Sequence, residues 1–103
     1  MWIDFKSKCL ACDAVYLASA DKRYLYLDVI HELVHVKQMK EGRELFDERY
    51  RYLERPTEIA AYGVSIAEAK RIGMSGRELT DYLRVEWVTK REFARFIKKM
   101  GLS

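Results

Sequence analysis

The chain has two histidines, and they lie four residues apart with a glutamate directly after the first: His31-Glu32-Leu33-Val34-His35. On a helix, residues i and i+4 share one face about a turn apart, so both imidazoles can reach a single metal ion. Glu32 sits about 100° further round, within reach of a water held by that ion without being a ligand itself. Neutral imidazole suits Zn²⁺, which lowers the pKa of a water it holds to about 7. A carboxylate beside that water can take its proton as general base and pass it to a leaving group as general acid. The chemistry in view is metal-assisted hydrolysis, with His31 and His35 as metal ligands, Glu32 as the catalytic group and one Zn²⁺ as cofactor. Shuffling the chain's residues gives this pattern only about 0.2% of the time, so composition alone does not account for it.

A catalytic zinc site has three protein ligands and one open position. With no further histidine in the chain, the third ligand must be Asp, Glu or Cys. Downstream lies Glu54-Arg55-Pro56-Thr57-Glu58-Ile59-Ala60-Ala61-Tyr62-Gly63, which contains the only proline. Proline is tolerated in the first turn of a helix, so the pattern predicts a helix from about 56 to 72, closed by Gly73. Glu58, Tyr62, Ser65 and Ala69 share one face of it, and the small residues permit close approach to the histidine helix. Glu58 is the leading third ligand. Glu54, in the loop before the proline, is the rival. Tyr62 either packs between helices or stabilises an oxyanion. Asp28, one turn before His31, either orients that histidine or is a solvated charge.

HExxH followed by a glutamate from a later helix resembles the gluzincin pattern of zinc metallopeptidases. The runs His-Glu-Leu-Val-His-Val-Lys-Gln and Pro-Thr-Glu-Ile-Ala-Ala-Tyr look like those of its compact members. A chain of 103 residues resembles the archaeal minigluzincins, very small metallopeptidases found as latent precursors. The matching motifs span residues 24–40 and 54–66. The resemblance implies a zinc-dependent endopeptidase acting on peptide or unfolded protein. It implies that His31, His35 and Glu58 bind zinc, and that Glu32 is general base and acid. It also implies latency, with the C-terminal helix at about 89–100, or the tail behind it, covering the cleft. One feature departs from the pattern. Larger gluzincins often carry Asp or Asn a turn beyond the glutamate, where this chain has Ala61 and Tyr62.

Half the residues are hydrophobic, a third are charged, and the net charge is +3, too mild to imply nucleic acid or membrane as a partner. The chain has no Asn and a single Gln, which leans toward a thermophile. No signal peptide and no apolar run near 18 residues can be read, so a cytoplasmic protein is expected. The expected fold is α+β: a single zincin-like domain over 1–103, with a short N-terminal hairpin or small sheet, then three to five helices, and HExxH on a central helix. Trp2–Lys6 and Ala14–Ala18 read as strands bracketing a Cys9–Cys12 turn, the second strand serving as the rim that holds extended substrate. Asp21 can cap a helix over about 22–40 that Gly42 ends. In that helix Val29, Ile30, Leu33, Val34 and Val36 read as the buried side. Tyr24, Asp28, His31, Glu32, His35 and Met39 read as the cleft side. Residues 43–55 are charged and tyrosine-rich and read as a helix or an irregular arm. Two capping boxes, Ser75–Glu78 and Thr89–Glu92, open helices to about Trp87 and Met100.

Two other functions stay open. Cys9-x₂-Cys12 with His31-x₃-His35 has the end spacings of a structural Cys₂His₂ zinc module, although its linker of eighteen residues exceeds the roughly twelve of nucleic-acid-binding fingers. The chain is alternatively a helical binding protein that does not turn over substrate. Substrate preference and oligomeric state are not legible in the sequence.

Overall fold

Residues 1–84 and 88–102 are described by the computed structural model, and the first element is a hairpin. Strand β1 (Trp2–Asp4) runs antiparallel to β2 (Cys9–Ala11), pairing Trp2 with Ala11, Ile3 with Leu10 and Asp4 with Cys9. The Asp4 carboxylate accepts hydrogen bonds from the backbone N–H groups of Lys6 and Ser7, at 3.0 and 3.2 Å. Lys8 takes φ of 58°, in the left-handed region, to complete the turn.

The expected hairpin is therefore displaced. The turn is Phe5–Lys8, Cys9 lies within β2, and Ala14–Ser19 is a helix, α1, where a strand was expected. The Asp13 side chain decides this by accepting from the Tyr16 N–H at 3.0 Å, which caps a helix start. Val15 and Tyr16 favour strands, but that preference is weak beside a cap followed by alanine and leucine.

Asp21 caps α2 (Lys22–Lys40), accepting from the Arg23 N–H at 2.8 Å, and Gly42 at φ 79° turns the chain out of it. An irregular arm then leads to a 3₁₀ turn (Tyr52–Glu54) and α3 (Pro56–Arg71), which ends before Gly73 at φ 88°. Helix α4 (Gly76–Leu83) opens with a complete Ser75–Glu78 capping box. It closes at Leu83, short of the expected Trp87, which lies outside the described residues. Helix α5 (Lys90–Lys99) starts at Thr89, whose hydroxyl accepts from the Glu92 N–H at 3.1 Å. The Glu92 carboxylate turns to Arg51 and to the Thr89 hydroxyl instead of closing a box on the Thr89 backbone. The described residues thus form a small α+β domain of a two-stranded sheet and five helices, with HExxH on the longest. None of these helices is long and apolar enough to cross a membrane.

The principal packing is α2 against α3. Ala61, Ser65 and Ala69 of α3 and Leu27 of α2 are all fully buried, and the Ser65 hydroxyl reaches the Leu27 carbonyl at 3.5 Å. Small side chains on α3 let the two backbones approach this closely. Ile66, Met74, Leu79, Leu83, Phe93 and Phe96 extend the core toward α4 and α5. The orientation of α2 reverses the expectation. Its buried residues are Leu27, His31, His35 and Gln38, while Leu33 on the apolar side is 51% exposed and Val29, Ile30, Val34 and Val36 are only half-buried. The face that meets α3 is the one whose polar groups find partners there, which is the condition for burying them.

Candidate metal centre

Helix α2 holds His31 and His35 one turn apart, with ring centroids 4.7 Å from each other. Pro56 occupies the start of α3, where its missing N–H removes no helical hydrogen bond, so Glu58 falls in the first turn. His35 Nε2 is 2.7 Å from Glu58 Oε1, and His31 Nε2 is 3.2 Å from Oε2. The two Nε2 atoms are 3.1 Å apart. One ligand atom from each residue lies within 4.8 Å of the others, and all three side chains are buried.

The donor set fits zinc. Tetrahedral zinc bonds of about 2.0–2.2 Å place ligand atoms about 3.3–3.6 Å apart, so even the closest pair needs to part by less than about 1 Å to take an ion. Two imidazoles and a carboxylate are ordinary zinc ligands. Burial by itself favours the neutral forms, raising Glu58 and lowering His35. Their mutual hydrogen bonds and charges overcome it, holding the Glu58 carboxyl down to about 2 and His35 above its ordinary value.

Glu32 stands outside the trio and half-buried beside it. Burial, partly offset by the histidines, pushes its carboxyl up. Two cavities of about 160 and 180 Å³ meet at His31 and Glu32. The first is bordered by Trp2, Ile3 and Phe5 of the hairpin side and by Leu45 and Phe46 of the arm. The second is polar, bordered by Asp28, Tyr62 and Tyr82. Tyr52 borders both. Its hydroxyl is 2.9 Å from that of Tyr62, whose ring packs on His31 and Phe96 at centroid distances of 4.4 and 5.2 Å. Tyr62 therefore packs between helices, as one of its two readings held.

Other expected residues are placed elsewhere. Glu54 is exposed in the 3₁₀ turn and borders a cavity against α5. Asp28 does not orient His31: its carboxylate accepts from the hydroxyls of Tyr16 at 2.6 Å and Tyr82 at 2.7 Å. His31 Nδ1 is buried with no partner among the described residues. Cys9 and Cys12 are free thiols outside the metal-holding group, so the four-residue finger-like set is not assembled. The strand expected at Ala14–Ala18 is a helix, and the hairpin-side residues that border the first cavity are Trp2, Ile3 and Phe5. Phe93 and Phe96 enter the core, and among the described residues nothing from 88–102 borders either cavity at His31.

The sequence reading missed Gln38 and Tyr52. Gln38 had a legible signal, because 31, 35 and 38 follow the i, i+4, i+7 spacing of one helix face. Its side chain is 2% exposed and lies 2.8 Å from His35 Nδ1 and 2.9 Å from the Thr57 carbonyl. Tyr52 had no such signal, being one of several tyrosines in an irregular arm. Among known proteins, no family model, no curated protein and no solved structure matches the chain.

Proposed function

We propose that the chain is a zinc-dependent metallopeptidase that hydrolyses peptide bonds in extended polypeptide. The observation that carries this reading is the convergence of His31 Nε2, His35 Nε2 and a Glu58 oxygen within 4.8 Å, with Glu32 beside them and outside the group. His31, His35 and Glu58 would hold the ion. Zinc there supplies Lewis acidity, acidifying a water and polarising a carbonyl. Glu32 takes a proton from the attacking water and delivers it to the leaving amine. The upward shift of its carboxyl suits both halves of that task, since a proton carrier works best with a pKa nearer the working pH. Burial foremost, with the nearby Tyr62 and Glu58, keeps the Tyr52 phenol protonated, so we assign it as a donor to the carbonyl oxygen as charge develops there.

Among the described residues strand β1 pairs with β2 alone, and residues of β1 border the apolar cavity beside the trio. An extended substrate can add to that edge through main-chain hydrogen bonds, with an apolar side chain set among Trp2, Phe5 and Phe46. The test is one variant measured twice. Glu32→Gln should bind one equivalent of zinc as the parent does, yet lose hydrolysis of a denatured protein substrate. If the variant loses zinc, Glu32 is a ligand and this mechanism is wrong. If the zinc-loaded parent hydrolyses no peptide bond, the peptidase reading falls.

A further inference from the structure

Gln38 is the chain's only glutamine, and its buried amide bridges the two helices that carry the metal-holding trio. The orientation of the amide follows from chemistry. A backbone carbonyl only accepts, so the group 2.9 Å from the Thr57 oxygen must be the Gln38 NH₂. The reverse orientation would face two acceptors at that distance. The Gln38 carbonyl oxygen then points at His35 Nδ1, 2.8 Å away, and it too only accepts. His35 must therefore donate from Nδ1. A neutral imidazole protonated at Nδ1 carries its lone pair on Nε2, the nitrogen that faces His31 and Glu58.

We infer that Gln38 is the positioning residue of the metal centre: it fixes the proton of His35 on Nδ1 and registers the first turn of α3, one residue before Glu58, against α2. The inference rests on the proposed zinc site and adds a dependence that the three ligands do not contain. It also distinguishes the two histidines. His35 is locked by an amide that is itself anchored to the opposite helix. His31, with Nδ1 unpartnered among the described residues, is held only by packing against Tyr62 and by the groups at its Nε2. A histidine held by such a partner is a preset ligand, and loss of the partner typically costs 10–100-fold in metal affinity.

The experiment uses the full chain loaded with Zn²⁺ and needs no peptidase activity. Zinc affinity is measured by chelator competition for the parent, Gln38→Met and Gln38→Glu. Side-chain ¹⁵N NMR of the loaded parent reports which nitrogen of His35 carries the proton. The parent should show His35 bound through Nε2, with an Nδ1–H slow to exchange. Gln38→Met keeps the length but removes both hydrogen bonds, and should bind zinc about 10–100-fold more weakly and lose the slow Nδ1–H. Gln38→Glu keeps an acceptor for His35 and should recover the Nδ1–H signal and part of the affinity. A folded Gln38→Met that binds zinc as tightly as the parent overturns the inference. So does a parent in which His35 binds through Nδ1. Should Gln38→Met not fold, the parent's NMR signature and Gln38→Glu decide the matter. A parent that binds no zinc refutes the metal centre itself, which is a different result.

Discussion

The proposed chemistry rests on single side chains, and each can be tested separately. Glu58→Ala should release zinc, because only two imidazoles then remain and structural retention by Cys9 and Cys12 is not available to them. The double change of Cys9 and Cys12 to Ser should leave zinc content unchanged. The reverse pair of results would establish a finger-like site. Tyr52→Phe should keep zinc and lower kcat by about 10²–10³-fold, the usual loss for one oxyanion donor. An unchanged kcat would remove Tyr52 from the mechanism. The metal-free protein has its own pH signature. Glu58 is held down to about 2 from an ordinary 4.5, so its contribution is present above 4.5 and is lost as pH falls toward 2. His35 is raised above 6.5, so its contribution is present below 6.5 and is lost as pH rises through the higher folded value. The two describe one interaction. Thermal melts of metal-free protein should show its stabilisation fully between about pH 4.5 and 6.5 and fading on both sides. Melts of Glu58→Gln should lack that plateau.

At the scale of elements, the distance between α2 and α3 controls whether the trio forms. Ala61 and Ala69 are both fully buried on α3, but Ala61 lies three residues from Glu58 and Ala69 lies eleven. Inserting methylenes into a packed interface costs about 1–3 kcal/mol at either position. Ala61→Leu should also widen the gap at the metal centre and weaken zinc binding by more than Ala69→Leu does. Calorimetry for stability and chelator competition for zinc, on the same two proteins, separate the effects. Equal losses of affinity would mean that α3 transmits strain along its whole length. The hairpin is the other element that the proposed function involves, because β1 borders the apolar cavity. Ile3→Pro removes a backbone donor from β1 and should reduce hydrolysis of long peptides while leaving zinc content unchanged.

For the whole molecule, the C-terminal helix decides between a structural part and a removable cover. Phe96 is 3% exposed and packs edge-on against Tyr62, which in turn packs on His31. Phe96→Ala should cost about 3–5 kcal/mol, a large fraction of the stability of a domain this small. Truncations from residue 102 back toward Thr89 should lower the melting temperature and activity together. A truncation that stays folded and gains activity would instead support latency through this segment. The packing seen among the described residues favours the first outcome, since Met100 and Leu102 also lie against the core.

Local signals are what the sequence carried by itself. Histidine spacing on a helix, a proline that opens the next one, Asp21 and Ser75 as caps, and Gly42 and Gly73 as stops all act within a turn or two of the chain. For that reason α2 and α4 start at their capping side chains and α3 starts at its proline, and His31, His35 and Glu58 were identifiable as a set. The small-residue face of α3 was equally legible, because shape at one position limits how near a neighbour can come. What tertiary structure alone decided depended on partners far along the chain. The apolar side of α2 looked like its core side, yet burial went to the side whose polar groups could be satisfied by Glu58 and Thr57, some twenty residues away. Ala14–Ala18 carries strand-like residues, but Asp13 caps a helix there and the Tyr16 hydroxyl donates to Asp28. Asp28 looked available to His31 until two tyrosines from different helices claimed both of its oxygens. Periodicity reports which residues share a face; which face is buried depends on what else in the fold can meet its hydrogen bonds.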